Sequence, residues 1–190
     1  MKSKKIISFL CALGIIVISG CAGDENARYV ESGGARTIIS TNKINIADWN
    51  TAAITLVNEM LSSGAFERIP EQKPIRLVVS RIVNRTSENI DTDMLTKKIE
   101  ITLTNSGKAL IVSSDPTTYN MAQNQAKALG KSVPSPKITL TGKILEDRER
   151  NSSLNEVTYT FQLELNYAGA AVWIGEKQIT KQQGRSSFGW

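Results

Sequence analysis

The sequence predicts an α+β domain: a mixed β-sheet ending in a C-terminal antiparallel meander, with helices packed mainly on one face. Three observations carry this. Strand and helix patterns alternate between residues 48 and 130, which builds parallel pairings by crossover. Val157, Tyr159, Phe161, Leu163, Leu165 and Tyr167 alternate with polar residues, the period of a half-buried strand. The 190 residues include 41% apolar and 22% charged side chains, enough for a single core and unlike a disordered or multi-span chain.

The elements follow in order. Asp48 is expected to cap a helix whose inward stripe is Trp49, Ala53, Leu56, Val57 and Met60, ending at Ser62-Ser63-Gly64. Ile75 to Val83 is β-branched and almost continuously apolar, as a central strand is, and Asn84 to Asn89 reads as a polar turn. Asp91 fits an N-cap, with Ile90 and Leu95 forming a hydrophobic staple and Leu95, Ile99 and Leu103 lining one face up to Asn105-Ser106-Gly107. Lys108 to Ser113 is a short strand, and Asp115-Pro116 opens a weaker helix to Leu129, with Gly130 after it. Ile138 to Ile144 and Val157 to Tyr167 are strands. Tyr167 to Ala170 turns into a last strand, Ala171 to Lys181.

The N-terminus has a different character. Lys2, Lys4 and Lys5 precede an apolar run from Ile6 to Ile18, and Ile18-Ser19-Gly20-Cys21 closes it. At about 13 residues the run is short for a membrane span, which needs roughly 20. It reads as a signal peptide, residues 1–20, removed on export. The tetrapeptide resembles the lipobox of bacterial lipoproteins, which makes Cys21 the expected lipidation site. Ala22 follows it rather than an inner-membrane-retaining aspartate, so the outer membrane, facing the periplasm, is the expected location. Residues 21–35 are then a lipidated cysteine and flexible tether, and residues 36–190 one globular domain. The tether could reach about 45–50 Å fully stretched and about 20 Å as a coil. All five prolines (Pro70, Pro74, Pro116, Pro134, Pro136) fall inside the domain.

Charge and chemistry narrow the function. The 23 basic and 18 acidic residues give +5. Removing the three signal-peptide lysines leaves 20 against 18, or +2, which removes the premise for nucleic-acid binding. There is no histidine, and Cys21 is the one cysteine remaining after cleavage, so His-dependent catalysis, thiol catalysis and most transition-metal sites are excluded. No glycine-rich phosphate loop marks a nucleotide site, and no cofactor or small-molecule substrate is expected. Glu146-Asp147-Arg148-Glu149-Arg150 reads as a solvated strand end rather than an acid-base pair. Asp91 and Asp93 read as cap and helix-dipole residues rather than metal ligands. Glu149 to Ser153 matches the extended acidic sequon of some bacterial N-glycosylation systems, with Asn151 as acceptor.

Asn84-Arg85-Thr86 with Ile90-Asp91-Thr92, Asn105-Ser106-Gly107-Lys108, Leu140-Thr141-Gly142-Lys143-Ile144, Tyr159-Thr160-Phe161-Gln162-Leu163 and Val172 to Lys177, followed by Ile179 and Lys181, occur in an order and spacing that resembles the LpoB family of penicillin-binding protein activators. The resemblance covers about residues 37–190. It implies a domain akin to the TolB N-terminal domain and a non-enzymatic outer-membrane lipoprotein. Such a protein docks on a class A penicillin-binding protein and stimulates peptidoglycan synthesis. The alternative is a structural or assembly lipoprotein of an outer-membrane secretion or flagellar apparatus. For the docking surface, polar residues near the first hairpin are the candidates: Lys143, Arg148, Arg150 and Asn155. Mixed charge with arginine suits a transient interface.

Overall fold

The computed structural model describes residues 44–113, 115–132 and 136–184. The signal peptide, Cys21 and the tether lie outside them. In chain order the elements are α1 (Ile46–Ser62), α2 (Ala65–Arg68), β1 (Ile75–Val79), β2 (Val83–Arg85), α3 (Thr92–Asn105), β3 (Ala109–Ile111), α4 (Pro116–Ala128), β4 (Ile138–Arg150), β5 (Leu154–Tyr167) and β6 (Ala170–Gly184).

The strands form one mixed sheet in the order β3-β1-β4-β5-β6, with β2 beside β4 further along its length. β1 runs parallel to β3 and β4, whereas β4, β5 and β6 form the antiparallel meander. α1 and α3 pack against each other and on one face of this sheet. That face is the core. Leu56, Val57 and Met60 of α1, and Leu95, Ile99 and Leu103 of α3, bury against Leu77, Ile144, Tyr159, Phe161 and Leu163. The Trp49 ring meets Tyr159 and Phe161 edge-to-face at 5.7 and 6.2 Å, a geometry that adds roughly 0.5–1.5 kcal/mol per pair beyond burial. Among the described residues α4 contributes none that is buried.

Local chemistry explains the boundaries. α1 begins three residues earlier than expected because Asn45, not Asp48, is the N-cap. The Asn45 side chain accepts from the Asp48 N–H at 2.9 Å, and the Asp48 carboxylate accepts from the Asn45 N–H at 3.1 Å, a reciprocal capping box. The same carboxylate accepts from Lys181 Nζ at 2.6 Å, tying the start of α1 to β6. Asp91 caps α3 as anticipated, accepting from the N–H groups of Asp93 and Met94, with Ile90 partly buried against the core and Leu95 within it. At the β5–β6 hairpin, Ala168 and Gly169 have φ of 49° and 85°. A two-residue turn that follows the sheet's twist requires this left-handed pair.

The expected strand from Ile75 to Val83 is broken. β1 ends at Val79 and a new ladder starts at Val83, so Ser80, Arg81 and Ile82 stand against only Thr141 and Gly142 of β4. The extra residue is a bulge-like insertion, and Gly142 makes room for it. A Cβ at Gly142 would lie 2.6 Å from Ile82 Cδ1 and 2.8 Å from Leu163 Cδ2. Ile82, 2% exposed, thereby enters the core outside any regular strand. Asn84 and Arg85, expected in a turn, belong to β2.

Gly142→Ala is expected to destabilise the domain by about 1–3 kcal/mol through overpacking, read from denaturant unfolding. Pairing it with Ile82→Ala, which empties the opposing space, should recover part of the loss seen with Gly142→Ala in the Ile82 background.

Candidate partner-docking site

The β4–β5 hairpin presents two chemically different faces. Every β4 residue from Ile138 to Arg150 is paired with β5, and side chains alternate along it. Ile138, Leu140, Ile144, Glu146, Arg148 and Arg150 share the helix-bearing face. Thr139, Thr141, Lys143, Leu145, Asp147 and Glu149 share the opposite one. Asn155 stands directly across from Arg150. The four expected docking residues are therefore divided: Arg148, Arg150 and Asn155 lie on one face, Lys143 on the other.

On the inner face, beyond the core, the ionic groups close on one another. The Glu146 side chain is 7% exposed. Its carboxylate accepts from the Ser87 N–H at 2.7 Å and from Ser87 Oγ at 2.9 Å, and it is bonded to Arg148 Nε. Arg148 Nη2 donates to Glu88 Oε1 at 3.0 Å, Ser87 Oγ at 3.2 Å and Tyr159 Oη at 3.3 Å. Asn84 shapes the loop that makes this possible. Its Nδ2 donates to the Glu88 carbonyl, and its Oδ1 accepts from Thr86 N–H and Oγ1. The cluster clamps the β2–α3 loop to β4. Burial pushes the Glu146 carboxyl up, but hydrogen bonds from Arg148 and Ser87 and the adjacent guanidinium outweigh it and hold the group below the usual carboxylate range. The bond to Glu146 in turn raises the Arg148 guanidinium, and burial followed by the Glu146 charge raises the Tyr159 phenol. Arg150 and Asn155 sit past the clamp. At the tip, Asn151 Oδ1 accepts from the Ser153 and Leu154 N–H groups, which makes the sequon asparagine a turn-former.

The outer face carries no packed helix among the described residues. Its rows follow from register. Val83, Lys143, Gln162 and Glu176 stand side by side, flanked by Arg85, Leu145, Thr160 and Gln178 on one side and by Thr141, Glu164 and Ile174 on the other. A groove of about 310 Å³ is lined here by Val83, Arg85, Lys143, Glu164 and Ile174, among others. Val83 is 46% exposed and Ile174 65%. Sequence reasoning missed Val83 and Arg85 because the first sits in an apolar run read as core and the second in a stretch read as turn. The parity of Lys143 against Arg148 was the available signal for the division of the faces. Among the described residues no cluster of three or more acidic or cysteine side chains could hold a metal ion.

The described residues thus form a helix-backed mixed sheet with an ionic clamp on its inner face and an open groove on its outer face. Residues 48–179 match the sequence model of the family described as peptidoglycan-synthase activator LpoB, and the chain belongs to that family. The family activates a synthase rather than catalysing the reaction itself. Among solved structures, the chain is similar to the LpoB C-terminal domain from Salmonella enterica, at 22% identity and a TM-score of 0.45 over 70% of this chain and 98% of that one. It is also similar to the corresponding Escherichia coli domain, at 19% identity and 0.45 over the same shares, and to the NMR structure of E. coli LpoB, at 16% and 0.42 over 96% of each chain. No curated protein sequence matches the chain.

Glu146→Gln removes the charge that Arg148 and Ser87 satisfy, and is expected to cost about 1–3 kcal/mol. The folded-state value of Glu146 is depressed. Its contribution is therefore complete above the unfolded value near 4.3 and is lost as pH falls through the lower folded value. Thermal melts between pH 3 and 7 should show wild type losing its advantage over Glu146→Gln on that acid limb.

Proposed function

We propose that the mature chain is an outer-membrane lipoprotein, held by lipid on Cys21, that activates a class A penicillin-binding protein by protein–protein contact. The family match over residues 48–179 is the observation that carries the reading. The chemistry of the sequence supports it: no histidine, and no cysteine beyond Cys21 after processing, in a chain whose charged clusters serve caps and clamps. A diacylglyceryl cysteine would supply two acyl chains, the number that stable anchoring needs. The sequence between Cys21 and the domain limits reach to about 45–50 Å, so access to a synthase in the opposite membrane is governed by tether length.

The test is addition of the mature protein to the purified class A synthase of its host, with glycan-chain polymerisation followed over time. The expected result is a several-fold faster rate; absence of stimulation with every class A synthase of that host would overturn the reading. In cells, Cys21→Ala is expected to abolish incorporation of labelled palmitate and to move the protein from the detergent to the aqueous phase on phase partitioning.

A further inference from the structure

We infer that the outer face of the sheet, at the groove between β2, β4, β5 and β6, is where this chain seats its protein partner, and that the partner presents there an apolar side chain beside a carboxylate. The inference rests on the activator reading and deepens it.

The polar side chains on this face divide into two sets. Those toward β6 satisfy one another: Glu176 accepts from Gln162 at 2.6 Å and from Gln178 at 3.0 Å, and the hydroxyls of Thr158 and Thr180 lie 2.8 Å apart. Those toward β2 do not. Arg85 and Lys143 are exposed, stand in adjacent rows, and form no ion pair or side-chain hydrogen bond with a described residue. Their companions in the groove are Val83 and Ile174, two large apolar side chains turned to solvent from different strands. A groove with an apolar side chain at each rim, Val83 on β2 and Ile174 on β6, and two unspent cations on its β2 side matches a protein surface that buries an aliphatic or aromatic group and sets a carboxylate over Lys143 and Arg85. Within the groove a second copy would offer Glu164 alone against both cations, so charge balance favours a different, acidic partner. The inner rim is the poorer candidate, because Arg148 already has Glu146, Glu88, Ser87 and Tyr159 as partners.

The groove is also held rigidly. Its floor is the continuous β4–β5 ladder, so binding would cost little ordering of backbone.

The experiment measures binding of the mature chain to the purified class A synthase for wild type, Arg85→Glu/Lys143→Glu, Ile174→Asp and Arg150→Glu, with thermal melts of each. The two outer-face variants are expected to weaken binding about tenfold or more while melting within about 3 °C of wild type, as surface substitutions do. Arg150→Glu, on the other face, is expected to bind as wild type. Wild-type affinity in both outer-face variants, or an equal loss in Arg150→Glu, would overturn the surface while leaving the activator reading intact. Sedimentation showing a wild-type dimer that the outer-face variants dissolve would overturn the choice of partner in favour of self-association. A wild-type chain that neither binds nor stimulates any class A synthase of its host would remove the activator reading, and this inference with it.

Discussion

The close approach of Ile82 to the backbone of Gly142 is the constraint on which the rest of the sheet depends. A side chain at position 142 would overlap Ile82 Cδ1 and Leu163 Cδ2. With glycine there, three residues after β1 can stand against two of β4, and the chain re-enters the sheet one residue out of its former step. That slip decides which way β2 faces, because a shift of one residue exchanges the two sides of a strand. Val83 and Arg85 turn outward beside Lys143. Asn84 turns inward, where its amide organises the loop that follows. One missing Cβ thus sets both the composition of the open face and the start of the clamp on the inner one.

The clamp has a mechanical consequence. Glu146 is a nearly buried carboxylate, and such a group is tolerable only when its oxygens are satisfied. Ser87 and Arg148 satisfy them, and Arg148 carries the connection on to Glu88 and Tyr159. The loop so fixed leads within a few residues to Asp91, the cap of α3. Because α3 packs on β1, β3 and α1, the hairpin end and the helical layer are coupled through one hydrogen-bonded group. Charges that look like an interaction surface in a linear reading are here the means by which a loop, a strand and a helix keep a common geometry.

How much of this was legible in the sequence depends on the range of the interactions involved. α3 was readable because its cap, staple and apolar stripe all lie within one segment, and the meander because period two persists over β5. The start of α1 was misplaced because Asn45 and Asp48 are both competent caps, and the capping box uses both. The break after Val79 was hidden because the space for Ile82 is provided by a glycine 60 residues further on, in a strand whose register the sequence does not state. Charge and proximity in sequence point to the docking candidates but do not say which face each one joins. Alternation alone puts Lys143 and Arg148 on opposite faces, whereas placing Asn155 across from Arg150 needs the hairpin register, which the Asn151 turn fixes.

The two faces therefore answer to different demands. The inner face buries its aromatic and aliphatic side chains under α1 and α3 and spends Asp48, Glu146 and Arg148 on caps and clamps, so its chemistry is consumed in holding the fold. The outer face has no helical layer among the described residues, and an antiparallel sheet tolerates this when that side is polar. Threonine, glutamine and glutamate supply much of the polarity here, with Thr158 bonded to Thr180 and Gln162 to Glu176 across the strands. Solvation alone would not call for Val83 and Ile174 on the same side, since each leaves apolar area in water at a cost of roughly 25 cal/mol per Å². Val83 beside two cations without carboxylate partners, with Ile174 across the groove, is what a surface kept for intermittent contact with another protein requires: apolar enough to gain from being covered, charged enough to remain soluble when it is not.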